Sequence, residues 1–226
     1  MNSKSSKTAL IFGASGLIGK FLTEQLANDT RYNKVIVFVR KKISTLHPAV
    51  EQIIFNPSDF STIDPKISGN HVFCCIGTTR AKAGSKDAFF KVDHDLVERI
   101  AQYASRQKAE SFIVVSSIGA NQQSGNFYLS TKGLMEQSIK TFQFNSIAIM
   151  RPSMLLGIRS EGRFLEDIGK VFAKLSTPLM VGKMRKYRPI HAADVASAMQ
   201  YAAFQDSGVH IYESDKIESM AKEKQG

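Results

Sequence analysis

Tyr128 and Lys132 are four residues apart, a spacing that places two side chains on one face of a helix. Such a pair can serve hydride transfer, because Tyr128 would donate a proton to a carbonyl oxygen while Lys132 stabilises the resulting phenolate. The spacing alone is a weak signal, since it also arises where a tyrosine packs and a lysine is solvated. It predicts a catalytic site only together with other features.

Two hydroxyl residues, Ser116 and Ser117, stand at the end of an apolar run that begins at Phe112. The sequence predicts that Ser117 holds the carbonyl oxygen of a small-molecule substrate by a hydrogen bond. Ser116 points to the opposite side of the strand and is the alternative. Ser117, Tyr128 and Lys132 together form the predicted catalytic set, and no metal site is expected.

A glycine-rich turn stands between an apolar run and a segment of helical period. Gly13 allows a tight exit from the strand, Gly16 lets the backbone approach a pyrophosphate, and Gly19 lets the helix pack closely. The helix N-terminus adds free N–H donors and a positive dipole. A turn without a ligand is the alternative, although three glycines cost backbone entropy. The residues predicted to bind a dinucleotide here are Gly13, Ala14, Ser15, Gly16, Leu17, Ile18 and Gly19.

Basic residues follow the second apolar run, where an NAD-selective protein usually has an acidic residue that binds the ribose 2′-hydroxyl. Arg40 occupies that place, and Lys41 and Lys42 follow it. A guanidinium can pair bidentately with a 2′-phosphate, whereas a carboxylate would repel it. The sequence therefore predicts NADP(H) as the cofactor, with a solvated basic loop as the alternative.

Apolar β-rich runs alternate with segments of helical period, which is typical of a parallel sheet covered on both faces. We predict an α/β doubly wound parallel sheet, a Rossmann fold, in one domain over residues 1–226, with residues 153–190 forming a small C-terminal substrate cap. The first helix is expected to bury Leu17, Ile18, Phe21, Leu22 and Leu26. The predicted strands are Thr8–Phe12, Val35–Val39, Gln52–Phe55, His71–Ile76, Phe112–Ser116 and Ser146–Met150.

The composition is that of a soluble globular protein, with 43% hydrophobic and 22% charged residues. No apolar stretch is long enough for a membrane span, and the polar start favours a cytoplasmic protein. The adjacent Cys74 and Cys75 are expected to be buried thiols. Of the net charge of +10, +6 lies between Arg151 and Ile190, and without a compact basic run interleaved with aromatics no nucleic acid is expected.

These residues together resemble the atypical group of the short-chain dehydrogenase/reductase superfamily, over nearly the whole chain. The resemblance rests on the glycine turn, on Ser116–Ala120, on Arg151 and Pro152, and on two longer stretches. These are FCCIGTTRAKAG from Phe73 to Gly84, which is the most specific, and NFYLSTKG from Asn126 to Gly133. It implies an NADPH-binding Rossmann domain with Ser117, Tyr128 and Lys132 as the catalytic set.

The resemblance also implies further cofactor contacts. Gly77 and Thr78 would line the cofactor after the fourth strand, and Pro152 and Ser153 would meet the nicotinamide after the sixth. For Thr78 and Ser153, capping of a strand end is the alternative. Asp59 would touch the adenine or cap a loop. A late segment, Pro189–Asp194, is expected to have a structural His191 and to place Asp194 near a helix start.

The residues therefore predict an NADPH-dependent oxidoreductase acting on the carbonyl or alcohol of a small substrate. The basic segment indicates an anionic substrate held near Arg159, Arg163, Lys183 and Arg185. One alternative is an NADPH-binding redox-sensing or regulatory module with little turnover, because some members of this branch are known as regulators. Another is a peripheral membrane protein that docks through the basic segment. A homodimer or a protein partner is left open.

Overall fold

The computed structural model describes residues 6–44, 46–60, 63, 67–156 and 182–223. The strands are β1 (Lys7–Phe12), β2 (Tyr32–Val39), β3 (Val50–Ile54), β4 (His71–Cys74), β5 (Ser111–Val115), β6 (Ser146–Arg151), β7 (Leu155–Leu156), β8 (Ile190–His191) and β9 (Gly208–Glu213). The α-helices are α1 (Leu17–Ala27), α2 (Arg80–Ala83), α3 (Lys86–Phe90), α4 (Leu96–Arg106), α5 (Phe127–Ile139), α6 (Ala192–Ala202) and α7 (Ser214–Glu223). A π-helical turn spans Lys91–Asp95, and a 3₁₀ segment spans Gly182–Tyr187.

Within the described ranges, seven strands form one sheet in the order β3-β2-β1-β4-β5-β6-β9, and all of its pairings are parallel. The first six positions of this order are those of a doubly wound Rossmann sheet, and β9 extends it by one strand. The predicted fold class is therefore confirmed. The short strands β7 and β8 pair separately from this sheet.

The central strands of the sheet are buried on both faces, as is typical of parallel sheets. In β1, Ala9 and Ile11 belong to a core cluster with residues of α1, α6 and α7, whereas Leu10 and Phe12 belong to a second cluster with residues of α4 and α5. Phe12 stacks on Phe38 of β2 at a ring distance of 4.3 Å. Because successive strand residues point to opposite faces, one apolar strand anchors both helical layers.

The strand register brings the segments of chemical interest to one edge of the sheet. Phe12 pairs with Phe38 and with Cys74, so the glycine turn, Arg40 and the segment after β4 leave the sheet at the same level. Val115 pairs with Met150, so the segments after β5 and β6 also leave together. In open α/β sheets ligands bind outside this carboxyl edge, at the point where the strand order reverses, which here lies between β1 and β4.

One expectation about the elements is wrong, and two elements near the end of the sequence were not predicted. Phe21 is 43% exposed on α1, because the buried stripe of this helix passes through Ile18, Leu22 and Leu26 instead. The helix α7, which buries Ile217, and the strand β9 were not predicted from the sequence. Residues 157–181 of the predicted cap lie outside the described residues. None of the described helices is long and apolar enough to cross a membrane.

Candidate active site

A cavity of about 320 Å³ lies at the carboxyl edge of the sheet, where the segments after β1, β4, β5 and β6 meet. It brings together the predicted catalytic set and much of the predicted cofactor-binding set. Its lining consists of Ser15, Gly16, Leu17, Ile18, Lys20, Cys75, Ile76, Gly77, Thr78, Thr79, Lys82, Asp93, Val115, Ser116, Ser117, Tyr128, Lys132, Pro152, Ser153 and Leu155.

The glycine turn presents one of its glycines to the cavity and packs the other two behind it. Gly13 has a φ of +91°, and a Cβ there would stand 2.7 Å from the carbonyl carbon of Cys75. A Cβ on Gly19 would stand 2.1 Å from the oxygen of Gly13, so α1 approaches the turn more closely than any side chain would allow. Gly16 lines the cavity and is the N-cap of α1. Ala14 is fully buried behind the turn.

Tyr128 and Lys132 lie one turn apart on α5, as predicted. Asn126 caps this helix, because its side-chain oxygen accepts hydrogen bonds from the backbone N–H groups of Tyr128 and Leu129. Gly133 lets the helix pack against the preceding loop, since a Cβ there would stand 2.1 Å from the backbone nitrogen of Gln122. Tyr128 is 39% exposed at the mouth of the cavity, while Lys132 is buried at its base.

The ammonium group of Lys132 lies 2.7 Å from Oδ1 of Asp93, and both side chains are buried. The other oxygen of Asp93 accepts a hydrogen bond of 2.8 Å from the backbone N–H of Thr78. Burial lowers the pKa of Lys132, but the negative charge of Asp93 and the electrostatic influence of Tyr128 outweigh it, so the pKa lies above its usual value. Asp93, which belongs to the π-helical turn, was not predicted from the sequence. Such turns occur frequently at functional sites.

The two serines at the end of β5 have different environments. Ser116 is 4% exposed and donates a hydrogen bond of 2.5 Å to Oε1 of Glu136, a buried residue of α5. Arg151 holds both oxygens of Glu136, at 2.9 and 2.5 Å. Ser117 is less buried, and its hydroxyl makes only a long contact of 3.4 Å with the carbonyl of Ile118. Because the hydroxyl of Ser116 is engaged by a carboxylate, Ser117 is the better placed of the two to bind a substrate oxygen.

Ser153 ties the segment after β6 to later parts of the chain. Its backbone N–H donates to the hydroxyl of Ser214 at 2.6 Å, and its hydroxyl donates to the carbonyl of Arg188. Ser153 and Pro152 line the cavity beside the segment after β5, where the backbone N–H of Ile118 donates to the carbonyl of Pro152. These hydrogen bonds of Ser153 agree with the alternative of strand-end capping. Ser153 nevertheless also lines the cavity.

Besides Gly13, Ala14 and Gly19, which are packed behind the turn, three further predicted cofactor residues do not line the cavity within the described part of the chain. Arg40 and Lys41 are exposed directly after β2, at the same edge of the sheet but to one side of the glycine turn. Asp59 is exposed, and its backbone closes a turn with Asn56. Contacts of these residues with the adenosine end of a cofactor stay predictions.

The basic segment after Arg151 is described only in part. Arg159 and Arg163 lie outside the described residues, as does the side chain of Lys183. Arg185 lies 3.2 Å from Glu218 of α7 and lines a different, smaller cavity. Among the described residues of this segment, no cation therefore reaches the cavity that contains Tyr128.

The two cysteines and the late segment around His191 are only partly as expected. Cys74 is buried, and this burial raises the pKa of its thiol to about 12, as expected for an inert core cysteine. Cys75 is only half-buried and lines the cavity, which the sequence analysis did not anticipate. Asp194 lies in the first turn of α6, as predicted, and His191 is an exposed residue at the N-cap of that helix.

A doubly wound sheet whose first turn opens a cavity at its carboxyl edge defines a Rossmann-type dinucleotide-binding protein. Comparison with known proteins gives the family: the chain matches the family described as NAD(P)H-binding over residues 13–205. Protein HTATIP2 of Rattus norvegicus is 34% identical over 74% of this chain and 70% of its own length. This chain belongs to the NAD(P)H-binding family and is an atypical short-chain dehydrogenase/reductase.

Solved structures show the same fold at low sequence identity. The ADP-L-glycero-D-manno-heptose-6-epimerase of Helicobacter pylori is 19% identical with a TM-score of 0.66, covering 100% of this chain and 85% of the epimerase. The enzyme WbmH of Bordetella bronchiseptica, solved in complex with NAD⁺, is 14% identical with a TM-score of 0.68, covering 96% of this chain and 79% of WbmH. These likenesses confirm the fold alone.

The expectation of a cytoplasmic protein is wrong in light of the fungal relatives. Protein FMP52 of Eremothecium gossypii is named mitochondrial, and it is 32% identical over 96% of this chain and 98% of its own length. The FMP52 proteins of Candida glabrata and Saccharomyces cerevisiae carry the same designation. The polar residues at the start of the sequence therefore do not determine the compartment.

Proposed function

We propose that this chain is an NADPH-dependent oxidoreductase that reduces the carbonyl, or oxidises the alcohol, of a small substrate. The observation that carries the proposal is a single cavity in which Ser117, Tyr128 and Lys132 face the segment Ser15–Ile18 of the glycine turn. Membership of the NAD(P)H-binding family supports dinucleotide binding. Ser117, Tyr128 and Lys132 supply the groups that a carbonyl reduction in this cavity would need.

The cavity fits a nicotinamide dinucleotide. Gly16 has no side chain between the cavity and the N-terminus of α1, where backbone N–H groups and the helix dipole would bind the pyrophosphate. Gly77 also lines the cavity, and a Cβ there would be in van der Waals contact with Oδ1 of Asp93 at 3.4 Å and with the ammonium nitrogen of Lys132 at 3.8 Å. Thr78, Pro152 and Ser153 complete the wall on the nicotinamide side in this proposal.

In the reductive direction the bound coenzyme supplies a hydride to the carbonyl carbon. Ser117 would donate a hydrogen bond to the carbonyl oxygen and so stabilise the negative charge that develops there. Tyr128 would transfer its phenolic proton to that oxygen, which gives the alcohol and leaves a phenolate. The buried ammonium of Lys132 would stabilise the phenolate, while Asp93 keeps Lys132 charged.

The preference for NADPH rests on Arg40 and Lys41. Both side chains are exposed and follow β2 at the ligand-binding edge of the sheet. An exposed guanidinium is available to a 2′-phosphate, and no acidic residue occupies the position directly after the strand.

The proposal is tested by NADPH consumption with a panel of aldehydes and ketones, comparing the wild-type protein with Tyr128→Phe. The variant should lose at least about 100-fold in kcat/KM, because the proton donor is removed. Its affinity for NADPH should stay unchanged, as followed by nicotinamide fluorescence in a chain without tryptophan. Turnover that survives in Tyr128→Phe would overturn the proposal, and tight NADPH binding without any turnover would favour a regulatory cofactor-binding module instead.

A further inference from the structure

A second cavity, of about 430 Å³, adjoins the cofactor cavity at Tyr128. Its lining consists of Arg80, Lys86, Phe89, Gly125, Asn126, Phe127 and Tyr128. Tyr128 is the residue that the two cavities share. A molecule bound in the second cavity would therefore present a reacting group to the phenol while its remainder extends away from the coenzyme.

The inner wall of the second cavity is aromatic. Phe89 is 1% exposed, and its ring centroid lies 5.8 Å from that of Phe127 and 5.7 Å from that of Tyr128. Three rings at these distances and tilts form a rigid apolar surface that favours a planar or aromatic group. The wall is therefore suited to the body of a small apolar substrate.

The rim of the second cavity is cationic. Arg80 and Lys86 are both exposed, and no carboxylate belongs to the described residues that line the cavity. Lys86 lies with its ammonium nitrogen 5.4 Å from the ring centroid of Phe127, which holds the charge above the aromatic wall. Asp87 follows Lys86 in the first turn of α3 but is not part of the lining.

Two short helices place these cations on one rim. Thr79 caps α2, which begins at Arg80, and Ser85 caps α3, which begins at Lys86. Gly84 joins the helices with a φ of +80°, a conformation that side chains rarely adopt. The turn at Gly84 brings the first residues of both helices to the same opening.

We propose that the second cavity is the substrate site and that it takes a carbonyl compound with an aromatic body and a carboxylate. The rings of Phe89 and Phe127 would hold the body, Arg80 would pair with the carboxylate through its planar fork, and Lys86 would add a second charge. This inference rests on the proposed function, because it assigns the carbonyl group to Tyr128. It also moves the expected anion site from the basic segment after Arg151 to α2 and α3.

The test uses phenylglyoxylate and its methyl ester, which share a ring and a ketone but differ in charge. Dissociation constants are measured in the presence of NADP⁺ for the wild-type protein and for the double variant Arg80→Ala/Lys86→Ala. We expect the wild-type protein to bind the acid at least tenfold more tightly than the ester. The double variant should lose about 10- to 100-fold in affinity for the acid, since hydrogen bonds to charged groups are lost, and little for the ester.

Lys216→Ala, which removes an exposed lysine of α7, is the matched control and should bind both compounds as the wild-type protein does. Equal affinities for acid and ester in the wild-type protein, or an unchanged affinity in the double variant, would overturn the inference. Turnover is measured separately: NADPH oxidation by either ketone that is lost in Tyr128→Phe supports the proposed function. Charge-dependent binding without turnover of these ketones or of any member of the carbonyl panel would thus overturn the proposed function and leave the anion site standing.

Discussion

Lys132 is a buried cation whose charge depends on its neighbours. Burial alone lowers the pKa of a lysine, because the charged form loses its hydration. The carboxylate of Asp93, 2.7 Å away, reverses this effect and holds the pKa of Lys132 above its usual value. Asp93 does not reach the reacting atoms in the proposed reaction, so we regard it as a positioning residue that acts through Lys132.

Asp93→Asn is predicted to move the pH dependence of the reaction. The amide keeps the size of the side chain and can still accept the hydrogen bond from the N–H of Thr78, but it removes the negative charge. Burial is then opposed only by the smaller influences of Tyr128 and Cys74, so the pKa of Lys132 falls and the ammonium loses its proton at a lower pH. We expect the alkaline limb of the kcat/KM profile to move to lower pH, with a loss of about tenfold or more at alkaline pH.

Asp95→Asn is the matched control, because Asp95 lies two residues further along the same turn and pairs with His94 rather than with Lys132. Its profile should coincide with that of the wild-type protein. An unchanged profile in Asp93→Asn would show that Asp93 does not maintain the charge of Lys132.

Arg40 carries the predicted choice between the two coenzymes. Arg40→Ala should weaken NADPH binding by about 10- to 100-fold, because a charge-assisted pair with the 2′-phosphate is lost. Affinity for NADH, which has no such phosphate, should change little. Fluorescence titration of each coenzyme measures both effects, and Arg106→Ala, which removes an exposed arginine at the end of α4, serves as control. Equal losses for NADPH and NADH would contradict the predicted role.

At the scale of elements, the glycine turn and α1 act as one unit in which two glycines have different tasks. A Cβ on Gly19 would stand 2.1 Å from the oxygen of Gly13, inside the contact between helix and turn. A Cβ on Gly16 would stand 3.2 Å from the same oxygen and would project where the cofactor is expected. Gly16 has a φ of −76°, which alanine adopts without strain.

Alanine at these two positions is therefore predicted to separate folding from binding. Gly16→Ala should keep nearly the stability of the wild-type protein but lose most of its NADPH affinity, because the methyl group occupies the approach to the pyrophosphate. Gly19→Ala should lose about 1 to 3 kcal/mol of stability, because α1 must move away from the turn. Urea unfolding and nicotinamide fluorescence measure the two quantities, and equal behaviour of the two variants would refute the assignment.

The central part of the sheet could be predicted from the sequence because its strands are buried on both faces and appear as continuous apolar runs. The predicted boundaries of β1 to β6 differ from the observed ones by at most three residues. The edge strand β9 was missed, because residues such as Val209 and Ile211 are 48% and 42% exposed and lie among polar neighbours. Because β9 lies at the edge of the sheet and is only partly covered, polar residues interrupt its apolar pattern.

The site was predictable where a short motif positions the residue and not where packing does. The pairing of Tyr128 with Lys132 could be predicted from their four-residue spacing on a helix. Asp93 precedes Lys132 by 39 residues, and its sequence context is that of a solvated residue on a helix. Its burial depends on the contact between the π-helical turn and α5. Glu136 had a usable signal, because it continues the four-residue spacing of Tyr128 and Lys132 on α5.

At the scale of the whole molecule, the edge of the sheet opposite the site holds a buried histidine. His71 begins β4, is 2% exposed, and shares a hydrogen bond of 2.8 Å with the hydroxyl of Tyr32. Phe204 packs against its ring, and Glu110 lies 3.9 Å from Nε2, with Lys7 paired to the same carboxylate. Burial lowers the pKa of His71 to about 4, and the opposing influence of Glu110 is smaller.

This lowered pKa predicts that the protein loses stability in mild acid. An unfolded histidine takes up a proton near pH 6.5, whereas folded His71 does so only near pH 4, so the unfolded state binds more protons between these values. The free energy of unfolding therefore falls as the pH falls, by about 2 kcal/mol between pH 7 and pH 5 from this residue. The pKa values of Glu110 and Asp29 lie below their usual values, so these carboxylates act at lower pH.

Urea unfolding at pH 7, 6 and 5 measures this effect when the wild-type protein is compared with His71→Asn. The asparagine oxygen can accept the hydrogen bond from Tyr32 but does not titrate, so the variant should be less stable at pH 7 through lost packing and should lose less stability on acidification. The difference between the two proteins should narrow by about 2 kcal/mol from pH 7 to pH 5. A constant difference would contradict the prediction, because it would mean that His71 takes up its proton over the same pH range in the folded and the unfolded protein, with Glu110 offsetting the effect of burial.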